Sequence, residues 1–302
     1  MIKLLVSDMD GTLFNSDQEI SPYNLAAIRQ AQKNGVHFMI ATGRNIDTIG
    51  PILEKYNLKC GIILMNGAEI RDENLNIIST INIDQNIIPS LANRLEEMGY
   101  VPEYMTNRYS QICCTEEKMD RNMGYRMMSL DRDHLISSIE EAIEIGKKSV
   151  FKRTLERNDS LEDFLAKNLE IRKIIVFHPD GEQNKKNRFE LQKQFPELSI
   201  LSSYPDNIEI NSIHAQKGYG LQKAIEKMSI AKEEVAIFGD GYNDLSLFEL
   251  FSNSYATANA EPEIKEKAKE IIPSNNENGV GIKINELLFQ NKMNSKMDMV
   301  RS

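Results

Sequence analysis

Asp8 and Asp10 stand two residues apart just beyond an apolar run, Ile2 to Val6. Side chains alternate along a strand, so if strand geometry persists through the tip the two carboxylates point to the same side and can face one reacting group. Two acids in one place divide acid and base work when their surroundings push their pKa values apart. Polar groups come after other apolar runs in the same way: Thr42, Gly43 and Arg44 after Val36 to Ala41, Asn66 after Gly61 to Met65, and Asp240, Asn243 and Asp244 after Val235 to Phe238. Lys217-Gly218 stands at a helix start. Singly, an Asp-x-Asp-Gly is a capped turn, Thr-Gly-Arg a loop and Lys-Gly the opening of a helix. Together, each at a boundary of one layer, they mark a ligand crevice beyond the carboxyl ends of strands.

The elements that must position these residues alternate. Ser21-Pro22 supplies an N-cap and a proline at the first helical position, and Leu25, Ile28 and Ala31 recur at helical spacing up to Asn34-Gly35. Strands apolar throughout, separated by such helices, imply a parallel sheet covered on both faces. From about Asp84 the pattern changes. Strands Gln111 to Thr115 and Ser149 to Thr154 are more polar, and helices Ile87 to Met98 and Leu135 to Ile145 separate them, which predicts a second, α+β module. After Lys217 the first pattern resumes, with a helix Tyr219 to Met228, the strand Val235 to Phe238, a helix Leu245 to Phe251, a strand Tyr255 to Ala258 and a helix Glu263 to Lys269. The predicted organisation is a discontinuous core, residues 1–83 and 212–302, interrupted by an insertion at 84–211, with a polar tail that frays from about 291.

In this order the motifs resemble those of the haloacid dehalogenase-like phosphohydrolases, specifically the Cof-type branch, in which a large C2-type cap lies between the second and third motifs. Asp8-Met9-Asp10-Gly11-Thr12-Leu13 is similar to the first motif, Ala41-Thr42-Gly43-Arg44 to the second, Lys217-Gly218 to the third and Gly239-Asp240-Gly241-Tyr242-Asn243-Asp244 to the fourth. Asn66-Gly67-Ala68 and the segment Asn275 to Val280 extend the likeness over almost the whole chain. No catalytic position departs from the pattern, while Thr257-Ala258-Asn259-Ala260 lacks a glycine common there in relatives.

The resemblance implies an α/β fold: a Rossmann-like, doubly wound parallel sheet with an inserted α+β cap. It implies a phosphatase in which Asp8 is the nucleophile that forms an aspartyl phosphate and Asp10 the general acid and then base. Thr42 would hydrogen-bond a phosphoryl oxygen with a neighbouring backbone amide, and Lys217 would neutralise charge during transfer. Gly43, Arg44, Asn66 and Asn243 complete the expected substrate-binding set. Asp8 and Asp240 beside a phosphate dianion would repel it, and one lysine cannot offset that, so a hard divalent cation is required. Magnesium is expected, on the side chains of Asp8 and Asp240 and the backbone carbonyl of Asp10, with Asp244 and Asn243 close by.

Composition bounds the partners. The 302 residues are about twice the ~150-residue prior for one domain, and a 41% hydrophobic, 27% charged chain is ordinary for a globular protein. A formal charge of -9 disfavours nucleic acid. No stretch approaches the ~18 apolar residues of a membrane span, and the first apolar run is too short for a secretory signal. Three cysteines, Cys60, Cys113 and Cys114, are an odd count whose adjacent pair suits no ordinary disulfide, so a reducing, cytoplasmic setting is expected. His37, His134, His178 and His214 have no metal-ligand spacing, Met119, Met123, Met127 and Met128 read as packing, and Cys113 and Cys114 should face opposite sides of a strand. The expected partner is a small phosphorylated metabolite; sugar, polyol, flavin and pyridoxal phosphates are all admissible. A phosphomutase would use the same aspartyl phosphate. A phospho-aspartate signalling module is disfavoured by Asp10 and the long insertion, and a catalytically retired regulator by the completeness of the motifs.

Overall fold

The computed structural model describes residues 1–131 and 135–301, with side chains described to residue 294. His134 lies outside the described residues. In chain order the strands are β1 (Leu4–Ser7), β2 (His37–Ala41), β3 (Gly61–Leu64), β4 (Glu69–Arg71), β5 (Ile77–Thr80), β6 (Glu103–Thr106) and β7 (Ser110–Cys113). Next come β8 (Leu155–Asn158), β9 (Ile171–Phe177), β10 (Leu198–Leu201), β11 (Asn207–Ser212), β12 (Val235–Gly239), β13 (Ser254–Thr257) and β14 (Glu270–Ile272). Packing divides the chain into two units, one of Met1–Gly43, Leu53–Ser79 and Lys217–Ser302, the other of Arg44–Ile52 and Thr80–Gln216.

The sheet of the first unit has the order β14-β13-β12-β1-β2-β3-β4-β5. The pairs from β14 through to β3 are parallel and β4 is antiparallel to β3. β1, β3 and β12 are buried along their whole length, as their unbroken apolar runs predict for a sheet covered on both faces. The chain steps outward from β1 to β2 and β3 on one side and from β12 to β13 and β14 on the other. The strand order therefore reverses between β1 and β12, and their carboxyl ends form the crevice where ligands bind in doubly wound sheets. Leu4, Val6, Met39, Ile63, Leu221, Val235 and Ile237 share one core cluster. The helix Pro22–Lys33 begins where the sequence predicts, with Ser21 Oγ accepting from the Asn24 amide at 3.1 Å.

The second unit is an α+β module on a six-stranded sheet, β10-β11-β9-β6-β7-β8, antiparallel except for β7 with β8. Leu91, Leu95, Tyr104, Ile174, Val176, Leu191 and Ile208 build its core. One predicted strand is a helix. Ser149 accepts from the Lys152 amide at 3.3 Å and opens the helical turn Val150–Arg153, and the strand comes next, as β8. Phe151 packs with Met123 and Met127, and the Arg126 guanidinium lies 3.9 Å over its ring. The local hydroxyl cap and this burial together override β propensity. The next helix back, expected at Leu135 to Ile145, starts later, at Ile139–Lys148, because Ser138 caps it. Met119, Met123 and Met127 are buried on the helix Glu116–Leu130, while Met128 is exposed.

The terminal helix runs Gly279–Arg301, past the point where composition predicted fraying. Asn291 explains why it continues there: its side chain accepts from the Ile2 amide at 2.9 Å and donates to the Ile2 carbonyl at 2.8 Å.

Candidate active site

The first motif begins just past β1, where Asp8 keeps extended backbone at φ −60° and ψ 161°. The Asp8 amide donates to the Phe238 carbonyl at 2.9 Å, docking the tip of β1 on β12. The chain then makes a wide turn over Met9–Leu13, closed by the Phe14 amide donating to the Met9 carbonyl at 2.8 Å. Within the turn Asp10 is non-helical, at φ −80° and ψ 113°, so Asp8 and Asp10 both have extended backbone. They are close enough for the charge of Asp10 to act on Asp8. Gly11 has φ +85°, and a Cβ there would fall on the Asp240 carboxylate, so glycine is required twice over. Thr12 Oγ1 donates to Asp240 Oδ1 at 2.6 Å, fastening the turn after β1 to the loop after β12.

Lys217, at the start of the helix Lys217–Met228, is fully buried and donates to Asp8 Oδ1 at 2.6 Å and to Asp244 Oδ1 at 2.7 Å. The other oxygen of Asp244 accepts the amides of Asp240 at 3.0 Å and Gly241 at 3.1 Å. Asp244 thus accepts from three donors and holds both the lysine and the loop. A Cβ at Gly239 would come within 2.7 Å of Asp244 Oδ2, so the close loop needs that glycine too.

Asp8, Asp240 and Asp244 bring one carboxylate oxygen each within 4.8 Å of one another, all three buried. Against them stands the buried ammonium of Lys217, which leaves two negative charges to be balanced. Burying such an excess is costly. Desolvation, reinforced by Asp244, accordingly holds the Asp8 carboxyl well above the usual carboxylate range even though Lys217 opposes the shift. Burial pulls the Lys217 ammonium down, but Asp244 and Asp8 more than offset it, so its pKa stands above the ordinary lysine value. The oxygen-only donors and the residual charge fit a hard divalent cation. Among the described residues this is the sole convergence of three or more His, Cys, Asp or Glu ligand atoms.

Thr42 lies just past β2 and is fully buried; its amide donates to the Ile63 carbonyl at 2.8 Å. Asn66 is fully buried in the left-handed region, at φ +59°, its amide donating to the Thr42 carbonyl at 3.0 Å. Asn243 Nδ2 lies 3.4 Å from Asn66 Oδ1, linking the loops after β3 and β12. Thr42 and Gly43 belong to the first unit with the aspartates and Lys217, whereas Arg44 opens a segment that packs with the second. Cys113 packs against the core of the second unit; both it and Cys114 are half-buried, and burial pushes the Cys113 thiol up to about 12 and raises that of Cys114, which leaves little thiolate.

Sequence reasoning missed three residues that brace the turn. Thr12 is one. The others are Asn259, whose Nδ2 donates to the Gly11 carbonyl at 2.7 Å, and Asn275, whose amide donates to Asn259 Oδ1 at 3.0 Å and whose Nδ2 donates to the Phe14 carbonyl at 2.9 Å. The available signal was an asparagine just beyond β13 and another just beyond β14, on the same sheet edge as the other polar clusters.

The sequence model of the haloacid dehalogenase-like hydrolases matches residues 5–284. The chain is 28% identical over 298 residues to phosphatase YwpJ of Bacillus subtilis, covering 95% of this chain and 100% of that protein. It is 30% identical over 292 residues to 5-amino-6-(5-phospho-D-ribitylamino)uracil phosphatase YwtE of the same organism, covering 95% and 98%. Among solved structures, a haloacid dehalogenase-like hydrolase from B. subtilis superposes with a TM-score of 0.82 at 26% identity, covering 95% of this chain and 100% of that one.

Proposed function

The chain belongs to the haloacid dehalogenase-like hydrolases and is a phosphoric monoester hydrolase, and from that premise we propose that it is a magnesium-dependent phosphatase that cleaves a small sugar or polyol phosphate through a phosphoryl group carried on Asp8. The observation that carries the reading is the bridge from Lys217 to Asp8 and Asp244 at the reversal of strand order. It fixes one oxygen of Asp8 on a buried cation, which would leave the other for attack. Two relatives named as phosphatases of a phosphoribitylamino-uracil support a small substrate bearing its phosphate on a polyol chain. The segment 84–211 would carry substrate selectivity.

Magnesium would be held by the side chains of Asp8 and Asp240 and the backbone carbonyl of Asp10, with Asp244 in support, and when bound it supplies positive charge against the phosphoryl oxygens. Asp8 attacks phosphorus; its new O–P bond forms as the ester P–O bond breaks, and Asp10 protonates the departing alkoxide. Lys217, protonated throughout, and the Thr42 hydroxyl face the charge on the phosphoryl oxygens. Asp10, now a carboxylate, takes a proton from water as that water attacks phosphorus. The bond to Asp8 breaks, and inorganic phosphate leaves.

The test is a panel of sugar, polyol, flavin and pyridoxal phosphates incubated with purified protein, with and without magnesium, while inorganic phosphate is measured. Magnesium-dependent release from small alkyl phosphates is expected. An isomerised sugar phosphate without phosphate release would make the enzyme a mutase, and absence of any turnover would defeat the proposal.

A further inference from the structure

Asp10 sits in a turn that is gripped from two directions. On the inner side Thr12 is bonded to Asp240 at 2.6 Å, and Gly11 packs so closely against that carboxylate that no side chain fits. On the outer side Asn259 holds the Gly11 carbonyl at 2.7 Å, and Asn275 holds both Asn259 Oδ1 at 3.0 Å and the Phe14 carbonyl at 2.9 Å. The second grip comes from the loops after β13 and β14, two strands that bear none of the residues assigned to the reaction. We propose that Asn259, oriented by Asn275, is a positioning residue for Asp10: by holding the carbonyl of the residue next to Asp10 it sets the direction of the carboxyl that moves the proton. This rests on the acid–base role given to Asp10 above.

The geometry separates this function from the others at the site. Asp8 is fixed independently, by its amide on Phe238 and its carboxylate on Lys217. The loop that carries Asn259 also holds the Asp240 carbonyl, but through the backbone amide of Glu261 at 2.9 Å, which a side-chain substitution leaves in place. Asn259 is exposed, so truncation opens no core cavity. Among the described residues, the Asn259 amide donates only to the turn around Asp10.

The two chemical steps make different demands on Asp10. Loss of an alkoxide needs its proton, loss of p-nitrophenolate does not, and attack of water on the phosphoryl–Asp8 bond needs its carboxylate whichever ester was used. The experiment compares wild type, Asn259→Ala, Asn259→Asp and Asp10→Asn in two measurements with p-nitrophenyl phosphate and magnesium: single-turnover release of p-nitrophenol with enzyme in excess, and steady-state turnover. Asn259→Ala should release p-nitrophenol within about 3-fold of the wild-type single-turnover rate while its steady-state turnover falls roughly 10- to 100-fold, the scale of a misplaced catalytic group. Asn259→Asp should fall as far, because a carboxylate keeps the acceptor for Asn275 but cannot donate to the Gly11 carbonyl. Steady-state rates are divided by the folded fraction, taken from the amplitude of the thermal unfolding transition of the same preparation, so a poorly folded fraction cannot imitate the split. Equal losses in both measurements, or wild-type behaviour of either Asn259 variant, would overturn the inference. If Asp10→Asn itself shows no split between the two rates, the acid–base reading fails and this inference with it; a split in Asp10→Asn without one in Asn259→Ala refutes the brace alone.

Discussion

The ammonium of Lys217 lies 2.6 Å from Asp8 Oδ1, across 209 residues of sequence, with no part of the lysine open to solvent. That contact ties the start of the helix Lys217–Met228 to the tip of β1 and places a buried cation among three buried carboxylates. Lys217→Met should therefore lower kcat by roughly 100- to 1000-fold, the loss expected when one donor to a developing oxyanion is removed. It should also lower the unfolding temperature measured in chelator. Lys217→Arg should not restore activity, since a rigid planar guanidinium does not fit where the ammonium is enclosed on all sides. Steady-state kinetics and thermal unfolding of the two variants check both statements.

Asp240 binds Thr12 through one oxygen and converges with Asp8 and Asp244, and the proposed role of that convergence is to hold magnesium. A metal that binds only the native state raises the unfolding temperature by mass action. Asp240→Ala should lose activity and the magnesium-dependent rise together. A variant that keeps the full rise would remove Asp240 from the ligands.

The site was legible in the sequence to the extent that short, fully apolar runs mark buried parallel strands, so the polar residues just past each run must lie at one edge of the sheet. Asp8, Thr42, Asn66 and Asp240 all stand there, beyond β1, β2, β3 and β12. The turn was not legible. The shape of Met9–Leu13 depends on partners at Asp240, Asn259 and Asn275, more than 200 residues away. The strand expected at Ser149 to Thr154 failed for the same reason, because the place of the Phe151 ring against Met123, Met127 and Arg126 is a tertiary fact that local propensity does not contain. The buried pair of Arg126 with Glu103, 2.6 Å apart, likewise gave no local signal.

Cys60 gives a pH dependence of known sign. It is 3% exposed, and burial pushes its thiol from the ordinary 9.0 up to about 12. Between these values the unfolded chain releases the proton and the folded chain keeps it. The stabilisation is thus complete below pH 9 and is lost as pH rises toward 12. One such proton makes the slope about 1.4 kcal/mol per pH unit. Cys60→Ala should remove one proton's worth of slope from the alkaline limb, measured by denaturant unfolding at a series of pH values. An unchanged slope would mean that the thiol ionises without unfolding.

The division of labour between Asp8 and Asp10 can be read chemically, by asking where phosphate stops. An alkyl phosphate has a poor leaving group, and general-acid help is worth roughly 100- to 10,000-fold. Asp10→Asn should therefore lose nearly all turnover of a sugar phosphate, yet still accept phosphate from an aryl ester onto Asp8. The phosphoryl group should then persist there, because the base that activates water is gone. Asp8→Asn lacks the attacking oxygen and should accumulate nothing from either ester. Acid quenching after exposure to radiolabelled aryl phosphate, with peptide mapping of the quenched protein, reads the outcome directly: label on the Asp8 peptide in Asp10→Asn is expected, whereas label on Asp10, or any label held by Asp8→Asn, would reassign the nucleophile.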